Sequence, residues 1–61
     1  MATLLSKDNK VSVYLHTYQS SRIYIYQFST GEVSFGADRV KDLNRFERTN
    51  EYKRLVKSFN A

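Results

Sequence analysis

Two runs of strict alternation, separated by a short polar stretch, constrain this chain more than any other feature. From Lys10 to Tyr18, Val11, Val13 and Leu15 fall on one side, with Ser12, Tyr14, His16 and Tyr18 on the other. A side-chain period of two marks a β-strand, here with one aliphatic and one aromatic face. From Arg22 to Ser29 the division repeats, Ile23 and Ile25 against Tyr24, Tyr26 and Phe28. A strand that is apolar on both sides belongs in the middle of a sheet, so this second run is expected to be central.

The length of each loop decides which faces coincide. A three-residue loop, Gln19-Ser20-Ser21, sets Tyr18 opposite Arg22, Thr17 opposite Ile23 and Leu15 opposite Ile25, which keeps the aliphatic side chains together. Tyr14 then neighbours Tyr26, and His16 neighbours Tyr24. A slip of one residue would turn a whole strand over and set Ile25 among the tyrosines, so the unmixed faces select the first register. The next turn lies in Ser29-Thr30-Gly31-Glu32. A two-residue type I′ turn demands positive φ at Thr30, which a β-branched residue resists, so a type I turn with Gly31 in the left-handed bulge position is expected. Val33 then opposes Gln27, Phe35 opposes Ile25, and a third strand from Glu32 to Phe35 joins the aliphatic face.

After Gly36 the period becomes helical. Asp38 suits an N-cap, and Val40, Leu43 and Phe46 form one apolar stripe; Tyr52, Leu55, Val56 and Phe59 form another. One straight helix would set these stripes roughly 170° apart, so a break is needed, with Thr49 or Asn50 capping the second helix. Ser6 to Asn9 reads as a polar lead-in. The expectation is one α+β domain over residues 1–61: a three-stranded antiparallel meander over 10–36, then helices over 38–47 and 50–60 packed on one sheet face. Val11, Val13, Leu15, Ile23, Ile25, Val33 and Phe35 would form the core with Val40, Leu43, Phe46, Leu55, Val56 and Phe59. Tyr14, His16, Tyr18, Tyr24, Tyr26 and Phe28 would then lie on a face that nothing else in the chain covers.

A chain of 61 residues buries only about 60% of the surface its unfolded form exposes, which leaves no room for a deep pocket. It has no cysteine, so neither a disulfide framework nor a thiolate metal site can reinforce the small core, and self-association is one way to complete it. Near the N-terminus only Leu4 and Leu5 supply apolar bulk, short of the ~7 to 15 residues of a signal peptide, and no run approaches the ~20 residues of a membrane span. A cytoplasmic protein with no membrane association, encoded as a complete short reading frame, is expected.

The net charge of +4 and pI of 9.6 favour polyanionic partners. Residues 1–37 carry Lys7, Lys10 and Arg22 against Asp8 and Glu32, whereas 38–61 carry seven cations against Asp38, Asp42, Glu47 and Glu51, so most of the excess lies in the helical part. There Lys41, Arg45 and Arg48 could meet phosphates, although the interspersed acids also suit a solvated helix face.

Nothing in the sequence assembles a catalytic site. His16 is the lone histidine, without a cysteine or an orienting carboxylate nearby in sequence, and an open sheet offers no cleft, so no enzyme, cofactor or metal site is expected. Gly31 serves a turn and Gly36 ends a strand; neither belongs to a phosphate loop. Five tyrosines are the informative feature. Four of them, expected on one sheet face, could stack on bases, anchor a protein interface, or simply follow the preference of tyrosine for strands.

The order of three antiparallel strands then helix, with Ile23-Tyr24-Ile25-Tyr26 followed by Thr30-Gly31 and Gly36, loosely resembles three-stranded-sheet DNA-binding domains such as integrase arm-binding domains, over about half the chain. The resemblance implies a sheet laid in the major groove with a helix bracing its back. In those domains the groove side is rich in Arg, Lys and Asn, whereas here it is mostly tyrosine. The first functional expectation is a non-catalytic nucleic-acid-binding accessory or regulatory protein in which Tyr14, His16, Tyr18, Tyr24 and Tyr26 meet sugar and base while Lys10, Arg22, Arg45 and Arg48 meet phosphate. The alternative uses the same face to bind a protein, as a modulator or inhibitor of the kind mobile elements encode, or to form a homodimer.

Overall fold

The computed structural model describes residues 2–60. It shows an α+β fold with strands β1 (Thr3–Lys7), β2 (Val11–Tyr18), β3 (Ser21–Phe28) and β4 (Val33–Ala37), followed by helices α1 (Val40–Phe46) and α2 (Asn50–Asn60). The four strands form one antiparallel sheet in the order β1-β2-β3-β4, so each pairs with its neighbour in sequence and β2 and β3 are central. The expected three-stranded meander therefore gains a strand at its front. β1 carries no alternation because it is an edge strand exposed along its length, with a bulge between Leu4 and Ser6 that breaks the period. Ser6 and Lys7 belong to this strand, and Asp8 makes the turn that follows. Its Oδ1 accepts the backbone N–H groups of Lys10 at 2.7 Å and Val11 at 2.8 Å.

The turn between β2 and β3 overturns the expected register. It has two residues, Gln19 at φ 45° and Ser20 at φ 70°, the paired positive values of a type I′ turn, whose twist suits the right-handed twist of the flanking strands. Tyr18 faces Ser21, His16 faces Ile23, Tyr14 faces Ile25 and Leu15 faces Tyr24. The pairing is one residue away from the three-residue loop, and every side chain of β2 lies on the opposite face from the one expected relative to β3. Tyr14, His16 and Tyr18 share a face with Ile23 and Ile25, while Val11, Val13 and Leu15 share the other with Tyr24, Tyr26 and Phe28. The second hairpin follows expectation. Gly31, at φ 98°, donates its N–H to the Phe28 carbonyl at 3.0 Å, the Phe28 N–H reaches Glu32 O at 2.8 Å, and Phe35 sits opposite Ile25.

The helices cover the face of Ile23 and Ile25, and rings fill the space between. Tyr14 meets Phe59 with centroids 5.0 Å apart; His16 and Tyr18 meet Phe46 at 5.8 and 5.3 Å; Phe35 and Phe46 meet Tyr52 at 5.0 and 5.9 Å. A large aromatic side chain can bury about 150–250 Å², more than a valine offers, so in a chain this short the mixed register places the larger area under the helices. Among the described residues Ile23, Ile25 and Phe46 are the fully buried apolar ones. Val11, Val13 and Leu15 do not join this core, and Val40, 75% exposed, does not either.

α1 is shorter than the expected 38–47. Its N-cap position is Arg39, whose guanidinium has no acceptor to offer as a cap, and Asp38, the residue expected there, accepts a hydrogen bond from the Tyr24 hydroxyl at 3.1 Å. Arg39 Nε donates to Asp42 Oδ2 at 2.9 Å, which gives this buried carboxylate a partner. α2 has the expected bounds, and Thr49 caps it: Oγ1 accepts from Tyr52 N at 3.2 Å and donates to Phe46 O at 2.6 Å. Among the described residues no helix is long and apolar enough to cross a membrane.

Candidate binding surface

The expected aromatic site divides between the two sides of the sheet. Tyr14, His16 and Tyr18 lie on the face that the helices cover, His16 buried and the two tyrosines half-buried, and so are parted from Tyr24 and Tyr26. His16 is buried, and its Nε2 lies 2.6 Å from Glu51 Oε2, tying β2 to α2. Its Nδ1 is buried without a hydrogen-bond partner. Assigning the proton of a neutral ring to Nε2, where it donates to the carboxylate, leaves a bare lone pair on Nδ1 rather than a stranded N–H.

Tyr24 and Tyr26 keep their expected place on the open face, and Arg22 stands on the same side of β3. Cross-strand pairing sets two rows side by side, Leu15 beside Tyr24, Val13 beside Tyr26 and Val11 beside Phe28. Ser6 of β1 lies next to Val13, and Ser34 of β4 next to Tyr26. The bond to Asp38 steadies the Tyr24 ring. The Tyr26 ring lies against Gly36 on the neighbouring strand, close enough that a Cβ there would be in van der Waals contact with its Cε2. Arg22 is the one charged side chain that the four strands place on this face.

The remaining cations lie elsewhere. Lys10 sits in the turn before β2, and its carbonyl accepts the Ser29 N–H at 2.9 Å, which places it at the Phe28 end of the sheet. Lys41, Arg45, Arg48, Lys53, Arg54 and Lys57 are exposed on or beside the helices, which pack against the covered face. On α2, Lys53, Arg54 and Lys57 project opposite the apolar stripe, while Glu51 turns in to His16. The structure therefore brings Arg22, Tyr24 and Tyr26 together and separates Arg45 and Arg48 from them.

Hollows also border helix α2. One of about 500 Å³ lies between the β1–β2 turn and the end of α2, lined by Lys7, Lys10, Ser12, Tyr14 and Phe59 among others. A smaller one of about 250 Å³ is bordered by His16, Glu51, Arg54, Leu55 and Ser58. Among the described residues no group of three His, Cys, Asp or Glu side chains is placed to hold a metal ion. No known family, no curated protein and no solved structure matches the chain.

Sequence reasoning missed Val11, Val13 and Leu15 as members of the open face. The signal that would have found them is the length of the first turn, and Gln19-Ser20 contains neither the glycine nor the asparagine that usually announces a type I′ turn.

Proposed function

We propose that this is a non-catalytic binding protein that works through the open face of its sheet, with a protein as its partner. One observation carries the reading: this face is aliphatic and aromatic with a single cation, Arg22, while most of the positive charge lies on the helical side. Interface cores are depleted of charge and enriched in aromatic residues and arginine, a composition close to that of this surface. Native mass spectrometry of the chain recovered from the cells that make it tests the reading. A stoichiometric protein partner is expected, lost in Val13→Lys and kept when Arg45 and Arg48 are both changed to Glu. The opposite pattern overturns it.

A second reading, a nucleic-acid-binding protein, is favoured by the row Arg22, Tyr24, Tyr26 and Phe28 on one side of β3. Successive rings are about 6.6 Å apart along the strand, and Lys10 lies near the far end, an arrangement on which an extended single strand could stack. Fluorescence titration against a single-stranded oligonucleotide tests it. Binding that weakens with salt and is lost in Tyr26→Ala supports the reading; no binding at low salt, or salt-independent binding, removes it.

A further inference from the structure

We infer that the partner of the open face is a second copy of this chain, packed sheet on sheet about a two-fold axis that runs along the strands between β2 and β3. The inference rests on the reading of that face as a protein interface and names its occupant. The aliphatic row Val11, Val13 and Leu15 and the ring row Phe28, Tyr26 and Tyr24 lie side by side in direct register. Rotation by half a turn about an axis between them places the ring row of one copy over the aliphatic row of the other. Tyr24 then lies over Leu15, Tyr26 over Val13 and Phe28 over Val11. Large side chains meet smaller ones at every level, so the surface is complementary to itself, as an isologous interface requires.

Area and charge agree with this occupant. Four strands about 4.8 Å apart, with a mean length of about 6.5 residues at about 3.3 Å each, make a face of about 400 Å² in plan. Projecting side chains raise its accessible area toward the roughly 500 Å² per partner at which specific association begins. Arg22 is exposed and pairs with Thr17 beside the Gln19-Ser20 turn, at the end of the face, so its two copies would reach past the edge of the sandwich into solvent, where salt screens them. The same operation sets Ser6 of each copy beneath Ser34 of the other, because Val13 is level with Ser6 on one side and with Tyr26 and Ser34 on the other. A weak, reversible dimer follows, because the face supplies about the lower limit of area.

Sedimentation velocity from about 10 µM to about 1 mM, a range that brackets weak specific association, tests the inference. The mass is expected to rise with concentration from the 7.2 kDa monomer toward twice that value. Val13→Lys should abolish the rise. Ser6→Lys combined with Ser34→Lys changes only exposed positions, so it leaves the fold intact, and it should weaken association at least tenfold. Ser6→Glu with Ser34→Lys, which pairs opposite charges only across this axis, should restore it. A monomer at every concentration, or a dimer indifferent to Val13→Lys, overturns the inference. So does loss of the dimer in Leu4→Lys, which would point to pairing through the β1 edge. If the wild-type chain stays monomeric while Val13→Lys still removes a different protein partner, the second copy fails and the interface reading stands.

Discussion

The two-residue turn at Gln19-Ser20 decides which side chains are core, and two substitutions of opposite sign test it. With φ of 45° and 70°, both residues occupy the left-handed region, at about 1 kcal/mol or more each for a residue other than glycine. Changing the pair to Asn-Gly relieves roughly half of that at position 19 and all of it at position 20, less about 0.5 kcal/mol for the added freedom of glycine in the unfolded chain. The net gain is about 1 kcal/mol, a rise of about 4–8 °C in Tm for a domain of this size. Gln19→Pro works the other way, because proline fixes φ near −65°. In a three-residue loop built on a type I turn, position 19 would be the first central residue, where proline is favoured, and Tm would rise. In the observed turn it must cost more than about 1 kcal/mol, a large share of the roughly 3–5 kcal/mol that so small a core supplies. Circular dichroism melts at one protein concentration measure both. A higher Tm for Gln19→Pro, or a lower one for Asn-Gly, refutes the register.

Other perturbations probe the covered side. Phe46→Ala removes the ring that meets His16, Tyr18 and Tyr52; at about 3–5 kcal/mol it should leave the chain largely unfolded, and a cooperative melt near that of the wild type would contradict the core assignment. Glu51→Ala strands His16 Nε2 and should cost about 1–3 kcal/mol by urea denaturation, while Glu51→Gln keeps an acceptor and should cost clearly less; equal losses would show that the hydrogen bond contributes little. The N–H groups of Val11 and Lys10 hold the Asp8 carboxyl below the usual carboxylate range. Its contribution to stability is therefore present above that range and lost as the pH falls through the lower folded value. An NMR titration should give a midpoint below that of the unfolded chain, and an ordinary midpoint would remove the turn from the acid response.

Much of the architecture was legible because it depends on local period and turn chemistry. Alternation located β2 and β3, Gly31 marked the bulged turn that sets β4 in register, and the opposed apolar stripes required the break that Thr49 caps. β1 was not legible, since an exposed, bulged edge strand has no buried face to impress a period on its residues. Of the nine candidate site residues, three were placed by the alternation alone: Arg22, Tyr24 and Tyr26 stand together on one side of β3. Tyr14, His16 and Tyr18 do not, and the reason is tertiary. Alternation shows which residues of one strand share a face, but it is silent on which face of the next strand they join. By itself the sequence determined a small basic chain with two-faced strands and two amphipathic helical segments. Only the tertiary structure decided that the rings of β2 turn inward and its valines outward. There a two-residue turn shifts the register by one, and the short helices Val40–Phe46 and Asn50–Asn60 bring Phe46, Tyr52 and Phe59 down onto those rings.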